Sequence, residues 1–316
     1  MGGKGSKPIR KTAGEPHRGV LVHTLKEHKD HVLCVRFSPD GRYIASGSAD
    51  KTLAIWETHN MKLLQHIKGH KAEVNAISFS PDSTMLLTCG RDSKVALWNV
   101  RKGDKIYATH LYQFGPFMSC SFSLDSSKLF ATSSERGCIT LWDMSEQKVK
   151  KRFLEGHSNE VFQVSFSPDN IHLASCGNDK RIILWNRTSG KIVEKLKDKY
   201  SPIFAFCYND NGTMIAAVVE GERVKIWSTI TNEIVFVLEG HHTSPVSSCS
   251  FSPDGSMLAT VSGDKTYALW DVSDPHAPPV YHARGHEGWV QTVAFSPDGI
   301  YLATGGNDHL INALMV

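Results

Sequence analysis

The chain has 316 residues, 41% of them hydrophobic, and a formal net charge of +3. That is enough for two ordinary domains or for one large repeat domain with a real core. No apolar run approaches the roughly 20 residues that span a bilayer, and no signal-peptide core follows Met1, so neither an integral membrane protein nor a secreted one is expected.

Residues 1–18, MGGKGSKPIRKTAGEPHR, carry Lys4, Lys7, Arg10, Lys11 and Arg18 against Glu15 alone, a charge of +4. The rest of the chain holds 30 basic and 31 acidic side chains. A near-neutral body has no basic stripe for nucleic acid, so none is expected as a partner. The tail lacks hydrophobic period and reads as a disordered basic segment. Met1-Gly2 followed by Ser6 fits the pattern for myristoylation of Gly2. One acyl chain binds membranes only marginally, and the neighbouring basic residues would add the second signal, an anionic surface being the target. The plainer alternative is a solubilising tail that happens to begin Met-Gly. The expected localisation is cytoplasmic, with a peripheral membrane pool if Gly2 is acylated.

Val20 to Leu25 is strand-like and stands alone before a repeat begins. Two β-branched or aromatic runs joined by Ser-Pro-Asp follow, and the unit then recurs. It is clearest at Gly156–Asn186, where a Gly-His pair opens the stretch and Trp185 closes it. The closing residues are 56, 98, 142, 185, 227, 270 and 314, spaced 42 to 44 apart. A fixed period of this length indicates a repeat architecture. The first unit has His28, Ser46, Asp50 and Trp56; the second His70, Thr88, Asp92 and Trp98. The third keeps Thr132 and Trp142 but has Gln113 and Arg136 at the His and Asp positions. The fourth has His157, Ser175, Asp179 and Trp185. The fifth keeps Trp227 with Lys199, Ala217 and Gly221 elsewhere. The sixth has Thr260, Asp264 and Trp270, with either His241 or His242 in register. The seventh has His286, Thr304 and Asp308, and Leu314 at the Trp position. The seven Cys form no CxxC pair and mostly fall in predicted strands, so they read as buried reduced thiols; no metal site or cofactor is expected from them.

The period, Gly-His, Ser-Pro-Asp and terminal Trp-Asp, Trp-Asn or Trp-Glu resemble the WD40 family over residues 20–316. The resemblance implies an all-β, seven-bladed propeller over residues 19–316, one four-stranded sheet per repeat. The last repeat stops after its third strand, and Val20–Leu25 is a spare outer strand, so the N-terminal strand is expected to complete the last blade and hide two sheet edges. In the family the His, Ser/Thr, Asp and Trp of a blade form one hydrogen-bonded chain. Trp only donates, a hydroxyl donates and accepts, and His links the hydroxyl to Asp. A His-Ser-Asp set also looks like a catalytic triad. Four complete copies, with the hydroxyl inside a strand and not on an exposed elbow, favour a structural role, so no catalytic residue and no enzyme is expected. Blades three and five, lacking His and Asp, are expected to be less rigid.

Family geometry places three side chains per blade on the top face: those three and five residues after the His, and the one before the Asp. Carried over, these positions include His31; Glu73 and Arg91; Met118 and Glu135; Glu160 and Phe162; Phe204 and Glu220; Trp289, Gln291 and Asn307. Trp289 is the only Trp outside the closing positions. Aromatic and soft apolar residues ringed by glutamates suit a protein or peptide partner with an apolar anchor and basic flanks. The alternative is that Phe162 and Phe204 turn inward and pack. The function expected is a non-catalytic, monomeric protein–protein interaction scaffold. The second reading is a substrate-recognition subunit of a ubiquitin ligase; no docking box or helical arm is evident for it. A G-protein β-subunit role is disfavoured, because the tail carries no heptad pattern.

Overall fold

The computed structural model describes residues 19–274 and 276–316, so the expected tail, Gly2 and its acylation lie outside the described residues. Within them the chain forms seven antiparallel sheets of four strands each. Six are built from consecutive strands, such as blade four: Val161–Phe166, His172–Gly177, Arg181–Asn186 and Ile192–Lys197. The seventh joins both ends of the chain. Val20–Lys26 pairs antiparallel with Leu310–Met315, from Val20 opposite Met315 to Lys26 opposite Leu310. The expected closure is therefore present, and it has its own register device. Thr24 stands opposite Asn312, and its hydroxyl donates to Asn312 Oδ1 at 2.9 Å. Three of the other six blades carry alanine, Ala54, Ala96 and Ala268, at the corresponding position two before the closing residue.

The turns between first and second strands follow from Ser-Pro-Asp. Ser38 Oγ donates to Asp40 Oδ1 at 2.7 Å and accepts the Tyr43 amide at 2.9 Å. Ser80, Ser167, Ser252 and Ser296 donate likewise to Asp82, Asp169, Asp254 and Asp298. The turn then needs a left-handed residue, supplied by Gly41 at φ +72° and by Asn170 at φ +57°. In Asp169 burial alone would raise the carboxyl pKa, but hydrogen bonds from Ser167, His172 and two backbone amides hold it at about 2.

The core lies between blades. Leu53, Ile55 and Ile67 of blade one pack with Val74, Phe79, Leu86 and Trp98 of blade two. The closing Trp of the first six repeats is thus a wedge between neighbouring sheets, and Trp142, Trp185 and Trp227 are fully buried. Burying such a side chain contributes roughly 2–3 kcal/mol. The seam where the ring closes is built the same way, with Leu25, Val32, Ile44 and Trp56 against Ala294, Ala303 and Ile311. Five of the seven Cys are buried, while Cys138 and Cys207 are only half buried. Burial pushes the Cys34 thiol up to about 12, which keeps it protonated and inert.

Candidate functional site

Two sets of residues were singled out by the repeat, and the structure separates their roles. The first set is internal. In blade four His157 Nδ1 lies 2.9 Å from Asp179 Oδ1 and Nε2 lies 2.7 Å from Ser175 Oγ. Trp185 Nε1 donates to the same hydroxyl at 2.8 Å. Blade two repeats this with His70, Asp92, Thr88 and Trp98. Blade six does so with His242, Asp264, Thr260 and Trp270. His242 is therefore the network histidine, and His241 instead sits edge-on to Trp270 at 5.2 Å. Blade seven links His286 to Thr304 and Asp308.

Blade one departs from the expected complete copy. His28 reaches Ser46 and Asp50, but no hydrogen bond joins the Trp56 indole to Ser46, so complete chains stand in blades two, four and six among the described residues. Burial alone would raise these aspartates, yet the histidine bonds and backbone amides outweigh it and hold Asp92, Asp179 and Asp308 below the usual carboxylate range. Asp264 is lowered too, chiefly by Thr266 and the Thr243 amide. Ser175 is fully buried with its oxygen engaged by both Trp185 and His157, so no substrate carbonyl can approach it.

Blade five, expected to be less rigid for want of His and Asp, carries a different contact in their place. Asp198, one residue before the His position, is completely buried and ion-paired with Lys225 of the third strand. Its Oδ1 accepts the Tyr200 and Ser201 amides, each at 2.9 Å. This pair pins the loop as the His–Asp bond does elsewhere. Blade three is held more lightly, by Arg136 donating to the Gln113 carbonyl at 2.9 Å and by the Thr132–Trp142 bond at 2.9 Å.

The second set lies at the end of the ring where the inner strands begin. Every inner strand is bulged at its second residue. Pairing skips from Val32 to Cys34, Val74 to Ala76, Phe117 to Ser119, Val161 to Gln163, Ile203 to Ala205, Val246 to Ser248 and Val290 to Thr292. The skipped residues are Leu33, Asn75, Met118, Phe162, Phe204, Ser247 and Gln291. A bulge re-aims its extra side chain out of the ladder. All seven blades thus present this position to the same rim.

Several of these candidates meet. Phe162 and Phe204 stack across blades four and five with centroids 5.3 Å apart and planes at 29°. They pack on each other, and Phe204 is still 42% exposed, so the inward alternative fails for it. Trp289 is 51% exposed. Its indole lies on Gly263 of blade six, where a Cβ would come within 3.1 Å of the ring. Polar candidates pair within blades: Glu73 with Arg91 at 3.7 Å, Glu160 with Asn178 at 3.0 Å, and Gln291 with Asn307 at 3.0 Å. Met118 is half buried and Glu220 is exposed, and neither joins these pairs. A cleft of about 620 Å³ is lined by Lys150–Arg152 and Arg187, and one of about 550 Å³ by Glu27, Lys29, Asp50 and His66; neither is lined by the aromatic candidates.

Sequence reasoning missed Asp198, Lys225 and His309, whose ring lies 5.9 Å from that of His31. Gly263 is the top-face position that the sequence assigns to blade six when His242 sets the register, and it alone among the residues before the network Asp is a glycine.

The family model for the WD domain, G-beta repeat, matches residues 19–57, 61–99, 148–186, 232–271 and 277–312. The stretches it leaves out hold blades three and five, which lack the His and Asp. The small ribosomal subunit protein RACK1y of Oryza sativa subsp. japonica is 38% identical over 273 residues, covering 83% of this chain and 80% of that protein. The WD repeat-containing protein SL1-17 of Schistosoma mansoni is 31% identical over 167 residues, and the match spans about half of each, 52% and 54%. A guanine nucleotide-binding protein subunit beta of Zea mays is 28% identical over 154 residues, 45% of this chain and 40% of that one.

Proposed function

Since the chain belongs to the WD40-repeat family of seven-bladed propellers, we propose that it is a non-catalytic scaffold whose top face captures a protein or peptide partner. The observation that carries this reading is the exposed aromatic group on the rim: Phe204 stacked on Phe162, with Trp289 two blades away. Exposed aromatics on rigid strands are the residues from which binding hot spots are made. Stacking and the Gly263 seat hold them ordered before a partner arrives, which lowers the entropy cost of binding. Met118 extends the apolar arc to blade three. Among the described residues Glu220 on the rim bears an unpaired carboxylate, Glu160 is only hydrogen-bonded to Asn178, and Glu73 is part-neutralised by Arg91. This ring of acid selects a partner whose apolar anchor is flanked by Lys or Arg. If Gly2 is acylated, the tail tethers the propeller to an anionic membrane as a second element of the same scaffold.

Affinity capture with the wild type and with Phe204→Ala and Trp289→Ala, read by mass spectrometry, tests the reading. A partner retained by the wild type should be lost from both variants while their melting temperatures stay within about 1 °C, since surface changes usually cost under about 0.5 kcal/mol. A partner retained equally by all three would remove the top-face assignment. The N-terminal peptide from a eukaryotic host reports separately on Gly2, and an unmodified mass there would remove the membrane tether alone.

A further inference from the structure

Two imidazoles and a carboxylate converge where blade seven meets blade one. Asp30 and His31 stand in the loop leading into the inner strand of blade one. His309 stands on the turn between the second and third strands of blade seven. One ligand atom from each of the three lies within 4.8 Å of the others. The two rings are 5.9 Å apart between centroids, and Asp30 Oδ1 is 3.9 Å from His31 Nε2.

The backbone beneath them is fixed from both sides. Ser48 Oγ donates to the Asp30 carbonyl at 3.1 Å, and the Ala49 amide to the His31 carbonyl at 2.9 Å. Asp30 Oδ1 accepts the His31 amide at 2.8 Å, which sets the carboxylate beside the ring. His309 has φ +69° and donates its amide to the Gly306 carbonyl at 3.2 Å. Its neighbour Asp308 is locked to His286 and to the Glu287 amide. Each loop is therefore held by the network of its own blade, while the three ligand groups stay part-exposed and able to rotate. Among the described residues no hydrogen bond engages either imidazole, so both keep a free nitrogen lone pair. The other compact cluster, His242, Asp264 and His282, differs in this respect. Both ring nitrogens of His242 are already committed, to Asp264, Thr266 and Thr260.

We propose that Asp30, His31 and His309 bind a zinc-class divalent ion that clips blade seven to blade one across the closure seam. Two imidazole nitrogens and a carboxylate oxygen are donors zinc accepts at about 2.0–2.2 Å, and water completes an open fourth position. Ligand atoms on such an ion stand roughly 3.4 Å apart, a contraction that small side-chain rotations supply. Imidazole donors favour zinc over calcium or magnesium, which take oxygen ligands. His31 then belongs to the metal and not to the peptide surface.

The full chain, purified without a histidine tag and stripped with chelator, is titrated with zinc chloride by calorimetry and by thermal unfolding. The wild type should show one saturable site and a rise in melting temperature that EDTA reverses, with no rise in calcium or magnesium. His309→Asn, chosen because asparagine tolerates the left-handed turn, should bind that site at least tenfold more weakly with an unchanged metal-free melting temperature. His31→Ala should do the same, and carries the test if His309→Asn fails to fold. Equal zinc affinity in wild type and variants, absence of a saturable site, or loss of binding in His282→Ala instead would overturn the assignment.

Discussion

Removing one carboxylate should cost blade four a calculable amount. Asp179 is nearly inaccessible, its side chain only 3% exposed, and the His157 side chain is fully buried. Asp179→Ala strands the Nδ1–H of His157 and frees the Ser158 amide, which Oδ2 holds at 3.2 Å. Ser158 is exposed, so water replaces that bond at little cost. The stranded imidazole donor has no such recourse and costs about 1–3 kcal/mol. The expected loss is therefore about 2 kcal/mol, a drop in melting temperature of roughly 3 °C for a domain of this size. Urea unfolding should show a lower midpoint with an unchanged m-value. Ser175→Ala disrupts the same chain at His157 and Trp185. The double variant should then cost less than the two single variants together, by at least about 0.5 kcal/mol. A single-variant cost below about 0.5 kcal/mol, or strict additivity, would refute the linked-network reasoning.

Other expected outcomes follow from the same geometry. Asp198→Ala should destabilise blade five as much as Asp179→Ala does blade four and should speed amide exchange at residues 199–203, because Lys225 loses its partner; unchanged exchange would contradict the substitute latch. A chain beginning at residue 27 lacks the fourth strand of blade seven and should associate in a concentration-dependent way by light scattering, as an uncovered edge does, whereas a chain beginning at residue 19 should not. Stability should fall on acidification. Burial lowers the pKa of His242 in the fold, so the unfolded chain takes up its proton first, and this contribution fades as pH drops below about 6.5. Asp92, Asp179, Asp264 and Asp308 are lowered in the fold, so theirs is full above about pH 4 and is lost as pH falls through their folded values. A urea midpoint that rises between pH 7.5 and 5 would contradict the histidine sign, and one that rises between pH 4.5 and 3 would contradict the aspartate sign.

The fold was legible because its signals are periodic. Gly-His, Ser-Pro-Asp and the closing Trp repeat at one spacing, and the unpaired run at Val20 matched a missing strand at the other end. What escaped reading were contacts between residues whose partners lie on a neighbouring element with no repeat counterpart. Lys225 sits where most blades have a small or apolar residue, and nothing in its own strand names Asp198 as its partner. His309 occupies a left-handed turn position filled by Lys51, Ser93 or Lys180 in other blades, so it reads as a turn residue until the ring brings it to His31. The inner-strand bulge is a property of pairing and leaves no mark on one strand's sequence, yet it is what turns Phe162 and Phe204 to the rim. The failed Trp56–Ser46 bond is likewise a matter of placement, with every residue type present. Whether His241 or His242 joined the network depended on which side of an inserted residue the loop bends, and counting from either strand gave a different answer.

The proposed ligand of the aromatic rim is an apolar anchor flanked by basic residues. Selecting a random peptide library on the immobilised wild-type propeller, then measuring the enriched peptides against Phe204→Ala and Trp289→Ala, tests it most directly. Enriched peptides should carry one aromatic or aliphatic anchor between Lys or Arg residues and bind at least tenfold more weakly to both variants. Peptides with acidic flanks, or with the same affinity for all three proteins, would contradict it.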